Sequence, residues 1–179
     1  MGDGKSFEIH TLTPDEWQRC REIRLAGMLD APYAFGSTHE GELAQEDSWW
    51  QQRVADFHWV VANDGQADVS LAMLAIQRLP ESTEFVEGLD LDRDTDYPWI
   101  RSVWTHPDAR GRRLVDALCL HLCEVAKSRG YETMVLGVRA ENERAFKAYQ
   151  RMGFNLAGRF FPTHFGPEQP NYLMSKSLD

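Results

Sequence analysis

Three arginines surround Gly111 in the run Arg110-Gly111-Arg112-Arg113, just before a long apolar repeat. Upstream, Val103 and Trp104 are strand formers. Pro107 removes a backbone donor, and Pro107-Asp108 starts a turn. Gly111 lets the chain bend sharply or approach a ligand closely. From Leu114 the apolar residues recur at helical spacing: Leu114, Leu118, Leu122 and Val125, with Val115, Cys119, Cys123 and Ala126 beside them. The spacing therefore predicts a strand, a tight basic loop and a helix N-terminus. Unpaired N–H groups and the positive end of the helix dipole lie at such a terminus. Together they form a cradle for phosphate on a small anionic ligand.

A second stretch with chemical content is Asn142-Glu143-Arg144-Ala145-Phe146-Lys147-Ala148-Tyr149-Gln150-Arg151-Met152-Gly153-Phe154. Asn142 is a preferred helix N-cap. Tyr149 shares a stripe with Ala145, Ala148 and Met152, so it faces the body of the protein. An ordinary tyrosine hydroxyl, with a pKa of about 10, is protonated at neutral pH and can serve as an acid. The plain alternative is a buried core tyrosine with its hydroxyl satisfied. His106 and His164 carry side chains that titrate near neutrality. His106 leads into the basic loop and reads as positional, whereas His164 lies in a loop and could equally face solvent. The acidic connector from Glu81 to Tyr97 includes Glu84 and Glu87. Its Asp90-x-Asp92-x-Asp94 run lacks the Gly and Glu that a calcium loop requires, so a solvated acidic loop is the plain reading.

These groups must be positioned by the surrounding elements. Phe7 to Leu12 reads as a strand, and Thr13-Pro14-Asp15-Glu16 as the start of a helix ending near Asp30. Glu40 to Val54 reads as one further helix. Strands follow at His58–Ala62, Val69–Gln77 and Trp99–Thr105, with Thr83–Leu89 as a strand extension. The basic loop leads into a helix ending at Arg129, stopped by Gly130. Then come a strand at Thr133–Val138, a helix at Glu141–Met152 stopped by Gly153, and strands at Asn155–Phe161 and Tyr172–Ser177. Strand–helix–strand units favour parallel pairing, and the early strand run favours hairpins. The expected class is mixed α/β (α+β): a twisted mixed sheet of six to seven strands with helices on both faces.

The chain has 179 residues, which suits one domain spanning 1–179 with one substantial core. Its net charge of −9 disfavours a nucleic-acid partner held through phosphates. An apolar N-terminal segment of signal or membrane length is absent, so no membrane partner is expected. The three cysteines, Cys20, Cys119 and Cys123, fall on predicted helices. This pattern fits a reducing, cytoplasmic setting without disulfides. Cys119 and Cys123 lie on the apolar face, so no metal is expected there.

The strand, the Val103–Arg112 run and the helix after it resemble the acyl-CoA-binding core of the GNAT superfamily of N-acetyltransferases, written (Gln/Arg)-x-x-Gly-x-(Gly/Ala). Arg110 fits the first position; Arg113 and Val115 occupy the two small ones. The Asn142–Phe154 stretch is similar to the family's Asn-x-x-Ala-x-x-x-Tyr-x-x-x-Gly-Phe segment at every marked position. The element order resembles that fold from end to end. The resemblance implies an acetyl-CoA-dependent N-acetyltransferase, with acetyl-CoA as co-substrate and a primary amine of a small molecule or peptide as acceptor. By the same resemblance, the main chain at Val103 and Thr105 pairs with pantetheine. Arg110, Gly111, Arg112, Arg113, Leu114 and Val115 hold the phosphates, with Asn142 and Tyr149 completing the cofactor site. Tyr149 protonates the departing thiolate. Glu84 and Glu87 are the candidates for the base, alongside a water chain with no dedicated residue. The acceptor site falls to Tyr33, Phe35 and His164, and the acidic connector would favour a cationic amine. Homodimers are common in that family, so a homodimer is possible here by analogy alone. The alternative is a degenerate binding module of the same fold without turnover, motivated by Arg113 and Val115. Arginine at a position of positive φ costs roughly 1–2 kcal/mol.

Overall fold

The computed structural model describes residues 6–65, 70–78, 84–87, 96–161 and 171–179. Thr13 opens the first helical segment as its sequence demands. Its N–H and hydroxyl both donate to Glu16 Oε2, at 2.9 and 3.0 Å. Pro14–Glu16 form a 3-10 turn, and α1 runs Trp17–Asp30. The remaining helices are α2 (His39–Leu43), α3 (Asp47–Asp56), α4 (Leu114–Ser128) and α5 (Glu143–Arg151). The strands are β1 (Phe7–Thr11), β2 (His58–Asp64), β3 (Ser70–Arg78), β4 (Glu84–Glu87), β5 (Pro98–Thr105), β6 (Thr133–Val138), β7 (Asn155–Phe161) and β8 (Asn171–Ser177). The four-residue β4 falls inside the stretch read as a strand extension and brings the strands among the described residues to eight.

One expectation needs correction. Glu40 to Val54 is two helices, not one. After α2 the amide of Gln45 bonds Glu42 at 3.1 Å, a tightened last turn, and Glu46 is extended at φ −71, ψ 160. Gly41 weakens continuation.

The described residues divide into two compact units. The first holds residues up to Ile76 together with Ser102–Leu122. In it β1 pairs antiparallel with β2, and β2 with β3. Alternation places Trp59 and Val61 of β2 and Met73 and Ala75 of β3 in one core with α1 residues Cys20, Ile23 and Met28. Burial pushes the Cys20 thiol up to about 12, so it is no thiolate nucleophile at neutral pH. All three cysteines are buried thiols.

The second unit holds Gln77–Arg101 and Cys123–Asp179. Its strands run in the order β5-β6-β8-β7-β4. β5 and β6 are parallel, with Trp99 opposite Val135 and Ile100 opposite Leu136; the other pairs are antiparallel. Gly137 of β6 lies beneath the edge-on pair of Trp99 and Phe160, whose centroids are 5.1 Å apart. A Cβ there would stand 2.5 Å from Phe160 Cζ and 3.0 Å from Trp99 Cζ2. Gly137→Ala should therefore cost about 1–3 kcal/mol, read as a lower urea midpoint at unchanged slope.

Candidate functional site

β5 delivers the basic loop in the first unit. The amide of His106 donates to Leu71 O of β3 at 2.8 Å and anchors the end of the strand. Pro107–Ala109 then make a 3-10 turn, and His106 Nδ1 accepts from the Asp108 amide at 3.3 Å. His106 thus serves the turn, a positional role. Gly111 follows at φ 83, and a Cβ there would meet nothing within 4 Å, so backbone conformation rather than space selects glycine.

Arg113 is also left-handed, at φ 57. Its carbonyl accepts from the Ala117 amide at 3.2 Å, the first bond of α4. The first-turn N–H groups of Leu114 and Val115 therefore precede any intrahelical donor bond and point out of the helix start. Such amides can bind an anion whatever side chain they carry, so arginine at 113 and valine at 115 remove no backbone donor. Arg113→Gly should remove a left-handed cost of about 1–2 kcal/mol. The looser unfolded chain would take back about 0.5–1 kcal/mol. Chemical denaturation should show a small gain or no change; a clear loss of stability would contradict this conformation.

Arg110 and Arg113 are exposed, and Arg112 is half-buried. Arg110 Nη2 pairs with Asp30 Oδ2 at the end of α1. The same carboxylate oxygen accepts from Trp104 Nε1 at 2.8 Å. One carboxylate thus ties the end of α1 to both β5 and the loop.

Sequence reasoning missed a buried network behind β5. Arg24 of α1 and Glu42 of α2 are only 2% and 3% exposed. Arg24 Nε and Nη2 donate to Glu42 Oε2 and Oε1 at 2.5 and 2.6 Å, a bidentate fork. Ser37 Oγ donates to Glu42 Oε1 and accepts from Arg24 Nη2 at 3.2 Å. Arg53 Nη2 stands 3.7 Å from Glu42. The Arg24 guanidinium also lies over the rings of Phe35 and Trp59, at 5.4 and 6.0 Å. Burial alone would raise the Glu42 pKa. The Arg24 hydrogen bond and charge, the Arg53 charge and Ser37 together outweigh it and hold the carboxyl below its ordinary range. The remaining arm, Arg24 Nη1, donates to Ser102 Oγ at 2.7 Å. Ser102 has φ 58 in the middle of β5. A left-handed serine costs roughly 1–3 kcal/mol and persists only where its surroundings hold it.

In the second unit, Asn142 Oδ1 accepts from the Ala145 amide at 3.1 Å and caps α5. Tyr149 is buried on that helix, edge-on to Phe154 at 6.2 Å. Lys176 Nζ donates to Met152 O at 2.9 Å and closes the helix C-terminus. Glu84 and Glu87 sit on β4 opposite Phe161 and Arg159.

The expected cofactor residues Val103, Thr105 and Arg110–Val115 therefore share one unit, while Glu84, Glu87, Asn142 and Tyr149 belong to the other. Of the acceptor candidates, Tyr33 is 61% exposed on the Pro32–Ala34 turn. Phe35 is buried, with its ring against Arg24 and α1 at Gly27. His164 lies outside the described residues. Among the described residues no group of three His, Cys, Asp or Glu could hold a metal ion. No described helix is long and apolar enough to cross a membrane.

The sequence model of the acetyltransferase (GNAT) family matches residues 17–154. A [ribosomal protein bS18]-alanine N-acetyltransferase of Salmonella typhimurium is 30% identical over 128 residues, 66% of this chain and 82% of the relative. Among solved structures, yncA of Salmonella typhimurium, solved with its cofactor acetyl-CoA, superposes with a TM-score of 0.68 at 16% identity. The superposition covers 97% of this chain and 95% of that one. The paia N-acetyltransferase of Thermoplasma acidophilum, in complex with coenzyme A, gives 0.60 at 14% identity over 96% and 99%.

Proposed function

Because the chain belongs to the acetyltransferase (GNAT) family, we propose that it is an N-acetyltransferase that moves the acetyl group of acetyl-CoA to a primary amine. One observation carries the cofactor half. The loop from Arg110 through the left-handed Gly111 and Arg113 opens the amides of the α4 N-terminus beside three arginines. This suits the pyrophosphate of a CoA thioester.

In the reaction the amine gives up a proton and its nitrogen attacks the thioester carbonyl. A C–N bond forms, the C–S bond breaks, and the sulfur leaves as a thiolate. A main-chain N–H in Val103–Thr105 would stabilise the tetrahedral oxyanion. The Tyr149 hydroxyl would protonate the thiolate. Glu84 and Glu87 on β4 are our candidates for the base, with a water chain as the other route. The acceptor we favour is a peptide amino terminus, since the relative at 30% identity is named for an alanine N-acetyltransferase of a ribosomal protein. A small-molecule amine remains in the same reaction class. A thiol-release assay with acetyl-CoA should give CoA with peptides bearing a free N-terminal alanine and none with Nα-blocked copies. Equal release from both would sink the amine-acceptor reading.

A second reading, a binding module without turnover, rests on Arg113 and Val115 at the two usually small positions of the loop. Protein that binds acetyl-CoA and transfers nothing across a panel of peptide, polyamine and amino-sugar acceptors would favour it.

A further inference from the structure

Ser102 is a left-handed, non-glycine residue inside a strand, at φ 58. Two residues before it, β5 is still paired in parallel with β6 at Trp99 and Ile100. Two residues after it, Trp104 is buried and its Nε1 is bound to Asp30. A left-handed residue turns the main chain out of the regular pleat, so it sets the direction of Val103, Trp104 and Thr105. Serine has no intrinsic preference for that conformation, and something must hold it there. The side-chain contact that the structure offers Ser102 is Arg24 Nη1 at 2.7 Å.

Arg24 is built to be immobile. Its other arms are fixed on Glu42 and Ser37, its faces lie against Phe35 and Trp59, and it is 2% exposed. A planar fork that satisfies one carboxylate bidentately still has a third direction free for a neighbour. Here that direction is β5. We infer that Arg24 is a positioning residue for β5: through Ser102 it holds the left-handed kink that aims the main chain of Val103–Thr105. The consequence for acyl-CoA rests on the function proposed above, in which that main chain meets the pantetheine arm and the thioester carbonyl. Arg24 touches no reacting atom. It acts by fixing donors in place before ligand arrives.

The test separates the two claims. Backbone carbon shifts of residues 101–105, measured by NMR without ligand, read the kink directly. Ser102→Ala keeps the Arg24–Glu42 pair and removes only the Oγ contact. Arg24→Lys keeps a charge beside Glu42 but replaces the fork by one point. Both should move residue 102 from left-handed to extended shifts and weaken acetyl-CoA binding by roughly tenfold, the worth of one lost hydrogen bond. Ser102→Asn should keep both properties, because Asn tolerates the left-handed region and carries an acceptor for Arg24. A merely structural role would lower the melting temperature of the variants without moving these shifts. Left-handed shifts retained in both Ser102→Ala and Arg24→Lys, or wild-type affinity in both, would overturn the inference. If wild-type protein binds no acetyl-CoA, the proposed function fails, while the shifts still decide whether Arg24 sets β5.

Discussion

Tyr149→Phe is expected to slow acetyl transfer by about 10²–10⁴-fold, the range associated with losing a positioned general acid. Acetyl-CoA affinity should fall by no more than about tenfold, the worth of one hydrogen bond, because the ring keeps its packing against Phe154. The combination is diagnostic. A core tyrosine stripped of its hydroxyl would change stability and leave the rate alone. An acid stripped of its proton lowers the rate far more than it weakens binding. Single-turnover transfer from acetyl-CoA to an accepted amine, with calorimetry on the same samples, separates the two. Wild-type rates in the variant would remove Tyr149 from the chemistry.

The second large effect belongs to Glu42. Glu42→Ala leaves the Arg24 guanidinium buried without its carboxylate and should cost about 3–5 kcal/mol at neutral pH. The pH dependence has a definite sign. The folded-state pKa of Glu42 is lowered, so the stability it contributes is present above the unfolded value of about 4.3. That stability is lost as pH falls through the lower folded value. Wild-type urea midpoints should therefore drop steeply below about pH 4.3, and Glu42→Gln should flatten that limb. An equally steep acid limb in Glu42→Gln would place the sensitivity elsewhere.

What the sequence carried plainly was local. Thr13-Pro14-Asp15-Glu16 encodes a cap within four residues, Asn142 caps α5, and Gly111 supplies a left-handed turn; all three are found where the spacing puts them. The strands themselves follow for the same reason, since alternation and Gly or Pro breaks are read within a short window, but their ends shift: β2 runs to Asp64, past the expected end at Ala62. The Arg24 network was not legible because its partners come from afar. Glu42 is 18 residues from Arg24 and Ser102 is 78 residues away. Glu42 lies in the stretch read as one helix, Glu40 to Val54, where nothing in the local spacing marks it as buried. The pairing of Arg110 with Asp30, 80 residues apart, was hidden in the same way. A basic loop could be recognised, but not that one of its arginines already holds a carboxylate. The left-handed φ of Arg113 was legible only as a condition attached to the motif, and the residue adopts it at φ 57.

We propose that the Arg110–Val115 loop and the α4 N-terminus cradle the pyrophosphate of acetyl-CoA despite arginine and valine at the two small positions. A calorimetric titration of the purified protein with acetyl-CoA, repeated with desulfo-CoA, tests it most directly. Micromolar binding of both ligands is the expected result, since both carry the same phosphates. No heat at millimolar concentrations of either would mean that the cradle is closed, and the acetyl-CoA reading would be contradicted.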